Sequence, residues 1–259
     1  MSCNLRLDAT NTIAILTMDA PETRNALDAG MRCTFEKALY EIKKNDRILC
    51  VILTGAGKAF CAGGNLSDMR QGIDVAGGRN KIKSIHEWAQ NIIKIEKPFI
   101  AAVNGAAIGA GFGLALACDM IIATTQAKFG ATFNKVGLIP DYGTMYLLPR
   151  AVGMARAKDI ALTSRLVSAQ ELYQAGAVKG VVEPDKLMET AMSIAELLSK
   201  GAPYAIGLSK RLMQMSYECS LEQMLEYESL AQGICYQTAD HREGVNAFFE
   251  KRPSRFIGK

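Results

Sequence analysis

Apolar positions alternate along residues 4–18. Leu5 and Leu7 precede a polar turn at Ala9-Thr10-Asn11, and Ile13 and Ile15 follow it. That pattern predicts a β-hairpin, ended by Pro21. From Asp28 to Lys44 the spacing becomes helical, with Met31, Phe35, Leu39 and Ile42 on one face. Ile48 to Leu53 is a short apolar run closed by Thr54-Gly55, which reads as a buried strand. Gly55 to Asn65 is a loop rich in small residues, and Leu66 to Gly78 is polar and glycine-containing. Lys81 to Glu96 predicts an amphipathic helix with Ile82, Ile85, Ala89 and Ile92 inward. Pro98 opens a strand over Phe99 to Val103.

The order strand, helix, strand, glycine loop, helix then recurs. Ile121 to Ala123 and Lys128-Phe129 suit short strands. Met154 to Leu162, Ala169 to Ala175 and Leu187 to Lys200 suit helices, and Pro203 to Lys251 is helical throughout. The expected architecture is α/β over residues 1–200, carrying the site, followed by a helical C-terminal region over 201–259. Phe99 to Ile122 is nearly free of charge and long enough to span a bilayer. Asn104 and the glycines 105, 109, 111 and 113 argue instead for a buried strand, a tight turn and a buried helix.

Composition narrows the classes. Hydrophobic residues make up 49% of the 259 and charged residues 22%, enough for a full core without disulfide or metal. The net charge of +4 is dispersed, with no basic block of the kind that reads nucleic acid. Seven cysteines without a C-x-x-C pair read as reduced thiols of a cytoplasmic protein. With only two histidines, His86 and His241, no metal site is expected. Met1 to Ala9 lacks a basic segment followed by an apolar stretch, so no signal peptide is expected.

Two strands run into Gly/Ala-rich turns: Val51 to Thr54 toward Cys61-Ala62-Gly63-Gly64, and Ile100 to Val103 toward Gly105 through Gly113. Small residues let a ligand atom approach the backbone, and a helix opening there would aim free N–H groups at it. Two such ends aimed at one point form an oxyanion hole, in which a single donor is worth about 3 kcal/mol of transition-state stabilisation. Close helix–strand packing selects the same residues, so both readings stand. Gly105-Ala106-Ala107-Ile108-Gly109-Ala110-Gly111 also has the G-x-x-x-G-x-G spacing of short-chain dehydrogenases. The Tyr-x-x-x-Lys pair of that group occurs here only as Tyr40 and Lys44, upstream of the glycines, so a nicotinamide enzyme is rejected.

The runs Phe60-Cys61-Ala62-Gly63-Gly64-Asn65-Leu66, Lys97-Pro98-Phe99-Ile100-Ala101-Ala102-Val103-Asn104-Gly105 and Ala107-Ile108-Gly109-Ala110-Gly111 resemble the enoyl-CoA hydratase/isomerase (crotonase) family. The likeness continues through Cys118-Asp119, Gly137-Leu138-Ile139-Pro140-Asp141 and Leu148-Pro149-Arg150 to Glu243-Gly244-Val245 and Lys251-Arg252. It implies a spiral of β-β-α turns with a C-terminal helical region that builds trimers, often paired as hexamers. It implies oxyanion donors at Gly64 and Ala110, and an acyl-CoA whose coenzyme A lies along Arg24-Asn25-Ala26-Leu27 and Ala62-Gly63-Gly64-Asn65-Leu66. Gly109, Phe133 and Pro140 would line the same site. Lys251 of a neighbouring subunit would contact a phosphate, or else is a solvated helix end. Coenzyme A enters as part of the substrate, and no separate cofactor is implied.

The acid–base residues decide the product. By resemblance, the two glutamates of family hydratases fall on Gly113 and Phe133, neither of which can move a proton. One carboxylate stands nearby, Asp141 in Pro140-Asp141-Tyr142-Gly143. It is a turn or cap residue on turn chemistry alone, and a catalytic acid–base if apolar neighbours such as Leu138, Ile139 and Pro140 raise its pKa. Its surroundings resemble phenylacetate-pathway epoxyacyl-CoA isomerases, where this aspartate is the acid–base. The expectation is a double-bond shift in an enoyl-CoA through an enolate. Three alternatives remain open: a hydratase of unusual site, an enzyme like the 4-chlorobenzoyl-CoA dehalogenases with Asp141 as nucleophile and His86 as base, and a non-catalytic CoA-binding scaffold. His86 is otherwise a solvated position beside the helix's apolar stripe. Phe133, Tyr142 and Met145 suit a bulky acyl pocket or core packing equally.

Overall fold

The computed structural model describes the chain except Met1, Ala9 and Gln71, and except the side chains of Leu5, Ser67, Asp68, Ser84, Glu87, Trp88 and Ala89. The turn residue Ala9 and the inward placements of Leu5 and Ala89 therefore lie outside the described residues. The hairpin is present as antiparallel β1 (Ser2–Leu7) and β2 (Ile13–Asp19). Its inward set differs from the expected one. Ala14, Leu16 and Met18 are buried on one face of β2 and Ile13 on the other, whereas Ile15 is only half-buried and Leu7 is exposed. The reason is that β2 lies inside a sheet covered on both faces, so strict alternation does not apply.

The helix α1 (Ala29–Lys44) starts where its cap dictates. The Asp28 carboxylate accepts the Met31 N–H at 2.7 Å. Met31, Phe35, Leu39 and Ile42 are all buried, as their spacing predicts. After β3 (Cys50–Gly55), the segment expected to be loop holds a strand of a second sheet, β4 (Ala59–Cys61). The next helix, α2 (Val75–Lys94), begins well before Lys81 and runs through Gly77 and Gly78. The Asp74 side chain accepts the Gly77 N–H at 2.7 Å, and this cap offsets the poor helix propensity of the two glycines.

Each further turn of chain repeats the same move. The chain adds a strand to the first sheet, then one to the second, then a helix: β5 (Phe99–Val103), β6 (Ala106–Ile108) and α3 (Ala110–Ala117); then β7 (Met120–Thr124) and β8 (Lys128–Gly130). The helices α4 (Thr144–Val152) and α5 (Met154–Thr163) follow, then β9 (Val167–Ser168), α6 (Ala169–Gln174), β10 (Gly180–Val182) and α7 (Leu187–Ser199). The first sheet has the order β1-β2-β3-β5-β7-β10, parallel except at β1, and the second β4-β6-β8-β9. The main core lies between the two sheets and α1 to α6, and a smaller one between the first sheet and α7. The sequence pattern missed α4, because Pro149 sits inside it and Gly143 precedes it.

All eight residues of α3 are buried. The charge-free stretch from Phe99 is thus two strands and a core helix, and no helix among the described residues is long and apolar enough to cross a membrane. The chain ends in α8 (Pro203–Met215), α9 (Leu221–Gln237) and α10 (Ala239–Phe249).

One buried cation fastens α8 to the rest. Lys210 is only 6% exposed. Its ammonium reaches the Asp119 carboxylate at 2.8 Å and donates to the Ile92 and Lys97 carbonyls, each at 2.9 Å. The Asp119 carboxylate also accepts the N–H of Phe99 at the start of β5. Removing one partner of such a pair strands the other charge in the interior. Lys210→Ala is therefore expected to cost about 3–5 kcal/mol in urea denaturation, against about 1 kcal/mol or less for Lys186→Ala, whose ion pair with Glu189 is exposed.

Candidate active site

Two stretches expected to line the site are laced together by the backbone. The Ala62 N–H donates to the Arg24 carbonyl at 2.9 Å and the Leu27 N–H to the Gly63 carbonyl at 2.7 Å, so that Leu27 and Gly64 form a parallel bridge. Arg24 and Asn25 both adopt left-handed backbone, φ 54° and 58°. Asn25 holds that bend from within: its side chain accepts the Ala20 N–H and donates to the Ala56, Ala59 and Phe60 carbonyls. Ala26 and Leu27 are buried beneath the exposed Arg24, and Asn65 and Leu66 continue past Gly64, with Leu66 exposed.

The second junction comes against the first. A Cβ on Gly63 would lie 2.7 Å from the Ile108 carbonyl oxygen and 3.3 Å from the Ala110 nitrogen, and one on Gly111 would lie 2.2 Å from the Cys61 carbonyl oxygen. The backbones of residues 61–64 and of the first turn of α3 are therefore in direct contact. Gly109, with φ 55°, turns the chain from β6 into α3, and its N–H is spent on the Gly130 carbonyl. Among the described residues, the N–H groups of Gly64 and Ala110 have no protein acceptor. Only the second junction opens an α-helix. Gly64 leads into a 3-10 turn, Leu66–Met69, so the helix dipole acts on one side alone.

Asp141 stands in the turn that enters α4. The Thr144 N–H donates to its carbonyl at 2.9 Å. Its Oδ1 is buried and, among the described residues, has no hydrogen-bond partner. Burial raises the carboxyl from 3.8 to about 6. The expected source of that burial is corrected: Leu138 and Ile139 are exposed, and Pro140 is half-buried. The turn instead packs toward α3, where the missing side chain of Gly113 makes room for Tyr142 and Thr144. Phe133 is buried with its ring 3.8 Å from the Cβ position of Gly109, which brings it to the second junction.

His86 on α2 is not the solvated residue of the simplest reading. It is half-buried, and its Nε2 is buried without a hydrogen-bond partner among the described residues. Lys251 is exposed just past α10, with φ 53°, in a region whose main packing partner is α9. Burial pushes the Cys61 thiol up to about 12, so it is no nucleophile at neutral pH. Among the described residues, no three His, Cys, Asp or Glu side chains gather as a metal site.

Sequence reasoning passed over Arg32 and named Tyr142 only as a pocket residue. Arg32 lies on the polar side of α1, donates to the Leu27 carbonyl at 3.0 Å and stands within hydrogen-bonding reach of the Tyr142 hydroxyl. No local pattern signals that contact. Asn104 was equally quiet, although its side chain ties the Gly55 and Gly57 carbonyls beside the first junction.

Comparison with known proteins supplies the family. The family described as enoyl-CoA hydratase/isomerase matches residues 8–259. A 1,2-epoxyphenylacetyl-CoA isomerase of Escherichia coli is 37% identical over 95% of this chain and 95% of its own. A short-chain-enoyl-CoA hydratase of Clostridium acetobutylicum is 36% identical over 96% and 95%. The crystal structure of an enoyl-CoA hydratase from Bacillus anthracis superposes with a TM-score of 0.94 at 33% identity, covering 100% of both chains. With its two-sheet spiral and its paired glycine junctions, the chain belongs to the enoyl-CoA hydratase/isomerase family of acyl-CoA enzymes and has the crotonase fold.

Proposed function

We propose that this enzyme shifts a double bond within an enoyl-CoA. Coenzyme A lies along Arg24 to Leu27 and Ala62 to Leu66, entering as part of the substrate, and no other cofactor takes part. The thioester oxygen accepts from the N–H groups of Gly64 and Ala110. Asp141 removes a proton from C2 of the acyl chain, the negative charge moves to the thioester oxygen, and the same carboxyl returns the proton at C4. A 3-enoyl thioester thus becomes a conjugated 2-enoyl thioester, with no water consumed.

The observation that carries this reading is the state of Asp141: half-buried, its Oδ1 buried and without a partner among the described residues, and its carboxyl raised to about 6, within the range of a general base at neutral pH. Hydration asks for a second carboxylate, and Gly113 does not admit one. A Cβ there would meet Thr144 Oγ1 at 2.7 Å, Tyr142 Cβ at 2.8 Å and the Tyr142 carbonyl at 3.0 Å. The relatives do not choose between the reactions, since an isomerase and a hydratase are about equally similar.

A second reading rests on His86. The His86 Nε2, buried and without a partner among the described residues, is open to a ligand or a water. It favours a reaction in which Asp141 attacks an aromatic acyl-CoA and His86 activates the water that releases it. Release of halide from a 4-halobenzoyl-CoA by wild type, lost in His86→Gln, would replace the isomerase reading with this one.

The assembly we infer is a homotrimer or a pair of trimers. No residue of α9 is buried within one chain, while Leu221, Leu225, Leu230, Ile234, Phe248 and Phe249 are each more than half exposed. An apolar surface of this extent on the C-terminal helices suits burial against further copies, which would carry Lys251 toward a neighbour's coenzyme A.

On mixing with a 3-enoyl-CoA, wild type is expected to raise the ultraviolet absorbance of a conjugated 2-enoyl thioester, and Asp141→Ala to leave it flat. Equal rates in the two would remove Asp141 from the mechanism. As a base, Asp141 acts ionised, so kcat/KM should rise with pH through about 6 and fall away below it. Stability moves the other way. The folded carboxyl titrates near 6 and the unfolded one near 3.8, so the native state binds the proton more tightly. That contribution is complete below about pH 4 and is lost as pH rises through 6. Relative to wild type, Asp141→Asn is expected to gain about 1–3 kcal/mol between pH 4 and pH 8 in denaturation midpoints. Gly113→Glu should yield no hydration of a 2-enoyl-CoA and should lower stability by about 1–3 kcal/mol through overpacking.

A further inference from the structure

We propose that Arg32 and Tyr142 are positioning residues that lock the Asp141 turn to the segment carrying Gly64. The inference rests on the reading of Asp141 as acid–base. Asp141 Oδ1 has no partner among the described residues, so its direction is set by the backbone that carries it. That backbone takes an unusual course. Tyr142 has φ 52° and Gly143 φ 75°, two successive left-handed residues directly after Asp141. Glycine accepts this conformation without strain, but a bulky aromatic residue does so only where its surroundings dictate it.

The surroundings here are specific. Tyr142 is only 5% exposed. Its Cβ and carbonyl fill the space that a side chain at Gly113 would take, so the tyrosine is wedged against the first turns of α3. Its hydroxyl lies near Cys61 of β4 and within hydrogen-bonding reach of the Arg32 guanidinium. The same guanidinium donates to the Leu27 carbonyl at 3.0 Å, and the Leu27 N–H donates to the Gly63 carbonyl at 2.7 Å. A rigid fork with several donors suits one side chain to both contacts. The chain of contacts runs from Gly63 through Leu27, Arg32 and Tyr142 to Asp141. It joins the oxyanion side of the site to the acid–base side through the Arg32 and Tyr142 side chains. This link adds to the packing of both segments on α3, and small displacements of a base from its proton are costly in rate.

The test uses the full-length enzyme and 3-hexenoyl-CoA, with kcat, KM and thermal midpoint measured for wild type, Asp141→Ala, Tyr142→Phe, Arg32→Met and the Tyr142→Phe/Arg32→Met pair. Tyr142→Phe and Arg32→Met are each expected to lower kcat by between about tenfold and a hundredfold with KM within about twofold. The double variant should fall no further than the worse single one, because both cut the same link. Arg32→Lys keeps the charge without the fork and should lie between wild type and Arg32→Met. Wild-type kcat in both single variants, with Asp141→Ala inactive, overturns the link and leaves the Asp141 reading intact. Multiplying losses that follow the drop in thermal midpoint, with KM rising alongside, also overturn it by reducing the pair to general stability. Wild-type turnover in Asp141→Ala removes the base itself, and the positioning inference falls with it.

Discussion

The rest of the site depends on one close approach of backbone to backbone. Residues 61–64 lie against the first turn of α3 with no side chain between them, and the Cβ that a larger residue would add at Gly63 or Gly111 falls inside a carbonyl oxygen's contact distance. The approach places side by side two chain segments, at Gly64 and Ala110, whose N–H groups have no protein acceptor among the described residues. Such donors cost free energy when buried and idle, and they become an asset only toward an oxygen that gains negative charge.

Two asparagines make that approach possible. The turn between β3 and β4 passes from one sheet to the other, and the Asn25 and Asn104 side chains donate to its carbonyls at Gly55, Ala56, Gly57 and Ala59. Asn25 also tolerates the left-handed backbone that brings Leu27 alongside Gly64. Polar side chains inside the molecule thus serve a backbone that secondary structure alone could not satisfy.

The acid–base side follows a different rule. Around the two junctions charge is kept out, while at Asp141 a carboxyl is kept in and poorly solvated. Its rise to about 6 comes from burial alone, opposed only by its own backbone N–H. The glycine at 113 that lets the Asp141 turn dock on α3 also closes the space where a second carboxylate would enter. One glycine therefore both lets the Asp141 turn dock on α3 and, under the reading proposed above, leaves that carboxyl to act without a second one beside it.

The local pattern of this chain determined a great deal. Helical spacing from Asp28 with an aspartate cap, an apolar run over Phe99 to Val103 and a charge-free α3 follow from burial and capping, which act over a few residues, and each is where the pattern puts it. The glycine runs with Lys97-Pro98 and Pro140-Asp141 were specific enough to identify the family. What stayed hidden was non-local. The strands β4 and β6 are too short to show a period and exist because they pair with each other and with β8. The helix α4 is obscured by Pro149, and the start of α2 by two glycines that a single cap overrides. The Arg32–Tyr142 contact joins residues far apart in sequence, and the turn that carries Asp141 docks on α3 through Tyr142 and Thr144 while its neighbours Leu138 and Ile139 are exposed. Desolvation and the pairing of short strands are properties of the assembled chain, so only the tertiary structure decided them.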